Sequence, residues 1–485
     1  MAMSLDIKSA HKCVVIRESE RGLVGFTLEG ALYFYKVAPF GASFSAAWWS
    51  RVGGYLLRLM HHTIWIPHCG LVFVDDYLFY QIKSMMPVTA ALLCVLVLCC
   101  RIPISWKKLE LASTISWIGW RFHFSAGFVE LPMNKLEKIR RYLQQLSQSS
   151  RTTRKDLEKF IGIMMWVTQL FPYMRIWLHY FYKDLYAIPA THFSIDRDNW
   201  TAVAPCLNDD LIFHTRPSNT AIPVQGKLIS VRHQPVESLD DLSKLRLSDR
   251  RIWMRIRDPN SNKRTLSSDT IRMISLYQSW FLHLQPLRPM RPKNFWIGEV
   301  AADACAAGSS TQIGGFIRAP NGECRWFSEK YSHANFMDLH IDLDPDLQKS
   351  ITCMETLAQL GILHLAARHF HATRMPIKLS SWSDNTGAEA STNKLFCTSK
   401  PLCYFVEKMC IFSALSGIEM DVHHVPGHAN EEADALSRMN VEIECPTGFT
   451  LSDRIRLPLS ELWMDSPSPR LVPIDTKIPW KLPTP

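Results

Sequence analysis

The side chains of this 485-residue chain with the most chemical content are carboxylates placed where apolar runs end. Residues 71–80 read LVFVDDYLFY, a bare Asp75-Asp76 pair between two runs rich in Val, Phe and Tyr. Such runs suit paired strands, with the two Asp at the tip of a tight hairpin. Asp is also an ordinary turn residue, so taken alone the pair reads as a solvated tip. Asp6 ends another short apolar strand, residues 2–7. If these strands are neighbours, three carboxylates converge on one edge, which is costly in repulsion unless divalent cations occupy it. The final third carries a second set: Asp303 in a strand over 295–304, Glu355 in the first turns of a helix over 347–371, Asp384 at the end of a strand over 377–383, and Asp434 on a helix. Each has a plain structural reading, as a strand end, a helix N-terminus, a turn or a solvated face. Together they put four acidic groups at element ends or early in helices.

The elements that must position these groups are legible in outline. Up to about Phe128 the chain reads as mixed α and β, with strands over 23–28 and 30–37 and a turn at Pro39-Phe40-Gly41 opening an aromatic helix through Trp48 and Trp49. Residues 84–100 are 17 positions without charge, bounded by Lys83 and Arg101. That length is at the short limit for a membrane span and equally suits a buried helix after a sheet hairpin. From Glu130 the pattern is helical: Asn134-x-x-Glu137 resembles a capping box, and Leu136, Ile139, Leu143 and Leu146 recur at helical spacing, with Lys135, Lys138 and Arg141 away from them. A second helix is expected from Thr153-x-x-Asp156, through Leu157, Phe160, Ile161 and Met164, to a stop before Pro172. Arg251 to Arg257 alternates strictly, with Ile252, Met254 and Ile256 on the core side. The last third is strand-rich and then αβα, with an acidic, loop-like insertion over 330–346 and a proline-rich stretch after Asn440.

Composition bounds the class. At 47% hydrophobic and 20% charged residues the chain is globular, neither disordered nor fibrous, and long enough for several domains. The formal charge is +9, and residues 101–160 hold 12 Lys/Arg against five Asp/Glu, which implies an anionic partner, nucleic acid first. Thirteen scattered cysteines without a C-x-x-C argue for reduced thiols in an intracellular compartment, cytoplasmic or nuclear. The N-terminus MAMSLDIKSAHK has no apolar signal region, and no membrane association is expected.

At this point a resemblance becomes specific. Asp6-Ile7-Lys8-Ser9-Ala10, Pro39-Phe40-Gly41 and Phe73-Val74-Asp75-Asp76 resemble motifs A, B and C of a reverse transcriptase palm, in order. Ser105-Trp106-Lys107-Lys108 and Trp117-Ile118-Gly119-Trp120 are similar to motif D and the primer-grip hairpin. The resemblance implies that Asp6, Asp75 and Asp76 bind two Mg²⁺ (or Mn²⁺) ions for phosphoryl transfer. It makes Lys107 or Lys108 the acid for the leaving pyrophosphate, and places Phe40, Gly41, Trp117 and Gly119 at the substrates. His11 stands where the family usually has an aromatic gate against ribonucleotides. The fingers region is missing ahead of motif A, so deoxynucleoside triphosphates would be poorly held unless a separate polypeptide supplies it.

Ala302-Asp303-Ala304, Glu355, Ser383-Asp384-Asn385 and the run from Val425 through Pro426-Gly427-His428-Ala429-Asn430 to Asp434 and Arg438 look like a ribonuclease H domain. That resemblance implies two further metal ions on Asp303, Glu355, Asp384 and Asp434, with His428 assisting proton movement or product release. The expected architecture is an α+β multidomain chain: palm 1–128, helical thumb 129–195, connection region 196–290, α/β ribonuclease H-like domain 291–441, proline-rich tail 442–485. The order is similar to the reverse transcriptases of retrotransposons, of gypsy or DIRS type. The expected function is RNA-directed DNA synthesis with RNA removal from hybrids, on an RNA template, DNA primer and RNA/DNA hybrid. Two alternatives stay open, a fragment retaining ribonuclease H activity alone and a non-catalytic nucleic-acid-binding remnant.

Overall fold

A strand whose side chains are buried on both faces must sit inside a sheet, and Ala2, Met3 and Leu5 of β1 (Ala2–Asp6) are all fully buried. The computed structural model describes residues 1–212, 251–259, 261–283, 287–290, 292–369, 377–440 and 445–463. They form two compact units, one of residues 1–137 and 285–292, the other of 138–284 and 293–485.

In the first unit β1 is followed by α1 (Ser43–Thr63), the hairpin β2 (His68–Phe73) and β3 (Asp76–Gln81), α2 (Met86–Cys99) and β4 (Glu110–Ala112). The sheet order is β2-β3-β1-β4, antiparallel throughout, and the register sets Asp6 opposite Asp76. α1 buries one stripe, Ser45, Trp49, Gly53, Leu56 and Met60. α2 is apolar all round, yet only Met86, Thr89, Leu93 and Val97 are buried, while Val88, Leu92, Val95 and Leu98 are exposed. The expectation of a buried helix therefore holds for one stripe of it. No helix among the described residues is long and apolar enough to cross a membrane. A second sheet joins β5 (Thr114–Trp117), β6 (Trp120–His123) and β7 (Phe128–Glu130) to the short strand Leu287–Pro289.

Helices α3 (Met133–Ser147), α4 (Arg154–Val167), α5 (Leu178–Tyr186) and α6 (Ser268–His283) follow. Leu136, Ile139, Leu143 and Leu146 of α3 are buried, and Lys135, Lys138 and Arg141 are exposed. Asn134 lies within the first turn of α3, so the expected capping box there does not form. Thr153 does cap α4, its hydroxyl accepting from the Asp156 N–H at 3.1 Å. α6 comes from the stretch expected as a connection but packs with the expected thumb. Its fully buried Tyr277 touches the rings of Phe160 and Phe181 and donates to the Met174 carbonyl at 2.8 Å. The alternating segment does form a strand, Arg251–Arg257, antiparallel to Ala190–Asp196. Ile256 is buried, while Ile252 and Met254 are outside the described side chains. The remainder of the expected connection, 213–250, lies outside the described residues.

The rest of the second unit is built on β8 (Glu299–Ala307), β9 (Ser310–Arg318), β10 (Cys324–Ser332), α7 (Ile351–His369), β11 (Ile377–Ser383), α8 (Thr386–Lys394), α9 (Leu402–Ser416), β12 (Glu419–His424) and α10 (Glu431–Arg438). The six-stranded sheet runs β10-β9-β8-β11-β12, the first three strands antiparallel and β8, β11 and β12 parallel, with the short strand Asn294–Trp296 also pairing in parallel with β11. α7 and α9 share the core on one face through Leu357, Leu360, Phe405 and Phe412, and α10 covers the other with Ala433 and Leu436 against Ala301, Phe316 and Trp326.

Two sequence expectations are corrected here. The insertion 330–346 is no plain loop: it contains the helix His333–Asp338, closed by a Ser332/Asn335 capping box, and buries Phe336, Ile341 and Leu343. Nor is residue 445 onward simply a tail, because Phe449, Leu457, Leu459 and Leu462 are buried and the Tyr331 hydroxyl donates to the Leu457 carbonyl at 2.5 Å. Apolar residues spaced among the prolines seat that segment; 464–485 lies outside the described residues.

One buried group works against this core. His364 on α7 is fully buried against the Phe412 ring, 3.6 Å between centroids, and neither ring nitrogen has a partner. Burial pushes its pKa down to about 3. A depressed histidine binds fewer protons folded than unfolded, so stability present above its ordinary value of 6.5 is lost as pH falls towards 3. His364→Leu is expected to raise unfolding stability at pH 7 by about 1 kcal/mol and to shrink the acid-side loss. Urea denaturation at pH 7 and pH 5 measures both.

Candidate metal centre

In the second unit, glycine sets the first distance. A Cβ on Gly314 would lie 2.4 Å from the backbone of Leu436 and Ser437, so only glycine lets α10 rest directly on β9. Asp303 pairs with Gly314 across the β8–β9 ladder, and the Ser437 hydroxyl donates to Asp303 Oδ2 at 2.6 Å. The Phe327 ring fills the space left by Gly315 and Gly361, seating α7 against the sheet. Glu355 of α7 then reaches β8, where Oε1 accepts from the Ala304 N–H at 3.3 Å. Buried Gln359 ties β11 to the same helix, accepting from the Ser381 hydroxyl at 2.7 Å and donating to the Trp382 carbonyl at 3.1 Å. Asp384 follows β11 directly, and Asn385 caps α8 by accepting from the Ala388 N–H at 3.0 Å.

These devices bring Asp303, Glu355 and Asp384 together, each offering an oxygen within 4.8 Å of the others. Asp303 and Glu355 are buried and Asp384 is exposed, so the set opens on one side. Glu355 Oε2 is buried without a hydrogen-bond partner. An orphaned carboxylate oxygen beside two further carboxylates fits a hard divalent cation, which would satisfy it and cancel the repulsion. Burial, reinforced by the charges of Asp303 and Asp384, pushes the Glu355 carboxyl up to about 9. Asp303 is raised to about 6, also by burial first, with the Ser437 hydrogen bond opposing and Asp384 and Asp434 adding.

The remaining expected residues stand at the rim. Asp434 is outside the trio and pairs with Arg438 Nε at 2.6 Å, one turn along α10. His428 lies exposed in the single turn Gly427–Ala429, and Gly427 passes close to Asp384. Buried Asn430 donates to the Ala302 carbonyl at 3.4 Å and pins this loop to β8. Sequence reading missed Ser437, Gln359 and Gly314. Of these only Ser437 left a signal, three residues after Asp434 and so on the same helix face.

The first unit carries the other set. Asp75 lies in the β2–β3 turn and its carbonyl accepts from the Ile7 N–H at 3.1 Å. Val74 beside it has φ +58°, a left-handed conformation that β-branched residues rarely adopt. α1 clamps this turn: the buried Trp49 indole donates to the Val74 carbonyl at 2.8 Å, and the Tyr77 hydroxyl to the Gly53 carbonyl at 3.0 Å. Asp76 is raised to about 6 by burial, then by its hydrogen bond with Asp6 and the charges of Asp6 and Asp75. Of the two expected lysines it is Lys108 that reaches the site, with Nζ 2.8 Å from Asp6 Oδ1; that contact raises the lysine's own pKa. Among the described residues these three carboxylates do not close to the separation of the Asp303 trio.

His11, Phe40 and Gly41 do come together: the His11 ring meets Phe40 edge-on at 5.1 Å and its Nδ1 lies 3.2 Å from the Ser45 carbonyl, while Gly41 turns at φ +91°. Trp117 and Gly119 part company. Gly119 forms the β5–β6 turn with Ile118, but Trp117 is buried with Ala2, Leu78, Ile115 and Phe124, so its expected place at the substrate is corrected to the core.

No protein-family model matches the chain, and no curated protein does. Among solved structures it is similar to a foamy viral protease-reverse transcriptase in complex with an RNA/DNA hybrid, at 14% identity and TM-score 0.35 over 95% of this chain and 47% of that one. It is also similar to a foamy viral protease-reverse transcriptase dRH in complex with double-stranded DNA, at 12% identity and TM-score 0.37 over 87% and 57%. The chain thus spans about half the length of these structures.

Raised carboxyl pKa values fix a sign. A folded state that holds protons more tightly than the unfolded one loses stability as pH rises, here from 3.8 to about 6 for Asp303 and from 4.5 to about 9 for Glu355. In EDTA, thermal midpoints should fall from pH 5 to pH 9, and Mg²⁺ should restore them with release of protons. Glu355→Gln should flatten the upper part of that slope; an unchanged slope would remove Glu355 as its source.

Proposed function

We propose that this chain is a nucleic-acid enzyme of the reverse transcriptase/ribonuclease H kind, and that its second unit hydrolyses the RNA strand of RNA/DNA hybrids. The carrying observation is the Asp303–Glu355–Asp384 set with its orphaned Glu355 oxygen. Asp303, Glu355 and Asp384 would hold Mg²⁺ or Mn²⁺, with Asp434 available once it leaves Arg438. Bound divalent ions at such a site supply an activated water and offset charge developing on the phosphate. Glu355 would have to be ionised to hold such an ion, and the Ser437 hydroxyl keeps Asp303 oriented. His428, exposed on the loop beside Asp384, would pass a proton between the site and solvent.

A second activity is supported by the Asp6–Asp76–Lys108 contact in the first unit. An ammonium held against a carboxylate edge is placed to protonate departing pyrophosphate, which suits RNA-directed DNA synthesis from a primer and deoxynucleoside triphosphates. Lys135, Lys138 and Arg141 on α3 would contact the phosphate backbone of the duplex. A retrotransposon origin, gypsy-like or DIRS-like, accords with this pairing of activities.

Hybrid cleavage in Mg²⁺ should fall at least about 10²-fold in Asp384→Asn, several kcal/mol of transition-state stabilisation being lost with a metal ligand. Binding of the hybrid should persist. A wild-type protein that leaves the hybrid intact would overturn the hydrolase assignment. For synthesis, primer extension on an RNA template should vanish in Asp75→Asn and slow about 10²-fold in Lys108→Ala. Equal extension by wild type and Asp75→Asn would remove the first unit from the chemistry.

A further inference from the structure

Asp434 stands in two roles that exclude each other. It is expected as the fourth ligand of the carboxylate centre, yet it lies outside the Asp303–Glu355–Asp384 trio and its Oδ1 accepts from Arg438 Nε at 2.6 Å. The backbone beneath the pair has little freedom to resolve this. Ala433 and Leu436 of α10 are fully buried, the helix rests on Gly314 at Leu436 and Ser437, and the Asp434 N–H bonds the Asn430 carbonyl at 3.0 Å. Ser437 is also fully buried and donates to Asp303, so this turn of α10 is anchored at the centre itself. The two charged side chains are placed differently: Asp434 is 40% and Arg438 61% exposed, so both can swing while the helix stays. Both charges are felt at the centre, where Asp434 raises the Asp303 pKa and Arg438 lowers it.

We propose that Arg438 is a latch: its guanidinium stands in for a cation on Asp434 and withholds the fourth carboxylate, so that the centre fills in two unequal steps. This rests on the hydrolase reading given above. The first step uses the trio, where the unpartnered Glu355 oxygen is already in place. The second recruits Asp434 and must break its ion pair with Arg438. Magnitude decides how strong the latch is. An exposed pair at i, i+4 spacing is weak, so breaking it costs a factor of about two to five in affinity. A divalent ion, with twice the charge and more than one carboxylate to bind, overcomes a cost of that size. Arg438 therefore sets a concentration threshold for the second step and does not block the site. It is a positioning residue, acting through Asp434.

The test is Mn²⁺ binding to the full chain, followed by the electron paramagnetic resonance signal of free Mn²⁺. Asp6→Asn and Asp75→Asn are present throughout, so that the ions counted belong to the second unit. With Arg438 in place, one ion should bind tightly and another more weakly. Arg438→Gln should tighten the weaker step about two- to fivefold and the tighter one by no more than about twofold. Arg438→Lys, which keeps the charge, should return the weaker step most of the way to its original affinity. Asp434→Asn should abolish that step with either residue at 438. A weaker step unmoved by Arg438→Gln, or a gain of the same size that persists in the Asp434→Asn background, would overturn the latch. Hybrid cleavage in a Mg²⁺ titration separates the two claims. Cleavage by wild type, with the Mg²⁺ concentration for half-maximal rate lowered by the same factor in Arg438→Gln, supports both. If the weaker step tightens as expected but wild type leaves the hybrid intact, the latch stands and the hydrolase reading falls. If wild type cleaves and Arg438→Gln moves neither the weaker step nor the Mg²⁺ requirement, the reverse holds.

Discussion

Glu355 is a carboxyl group held out of water within reach of two others, and much of the second unit is arranged around that strained placement. An ionised carboxylate there would face both desolvation and the charges of Asp303 and Asp384, and its pKa moves up to about 9 in consequence. Such a site is maintained only if the backbone cannot relax away from it. Gly314 and Gly361 let helices approach the sheet more closely than any side chain would permit, Gln359 joins α7 to β11, and Asn385 fixes the chain just after Asp384. Preorganisation of this sort is what a metal-dependent centre requires, because ligands that must be gathered after the ion arrives lose affinity and geometry together.

The first unit meets the same repulsion differently. Asp6 and Asp76 face each other across a ladder pair, and their repulsion is relieved by a hydrogen bond between them and by the ammonium of Lys108. Asp75 stays in a turn held in an unfavourable conformation by the Trp49 indole. A cation entering here must displace Lys108 from Asp6, whereas one entering the second site meets an oxygen that is already unpartnered. The two sites therefore differ in how much rearrangement loading demands, and it is the second that carries the functional conclusion.

Several features were legible because they depend on local pattern. The apolar run ending at Asp6, the hairpin around Asp75 and Asp76, the Thr153 cap and the buried stripe of α3 all follow from spacing and side-chain type. The helix in 330–346 and the packing of Leu457 to Leu462 were not legible, because acidic and proline-rich composition masks a few apolar residues whose burial depends on what they meet. Trp117 illustrates the same limit. Its neighbours mark a turn, yet only the packed core against Leu78 and Phe124 decides that its side chain points inward.

By itself the sequence determined which side chains could do the chemistry: four acidic groups in order in the last third, a separate acidic hairpin near the start, and a basic stretch between 101 and 160. Tertiary structure alone decided that Asp303, Glu355 and Asp384 meet while Asp434 turns to Arg438, and that Lys108 rather than Lys107 reaches Asp6. The reason is distance. Residue type and periodicity assign a carboxylate to a strand end or a helix face. Whether its oxygen lies within a few ångströms of another depends on glycine contacts and cross-strand register set by residues far away in the chain.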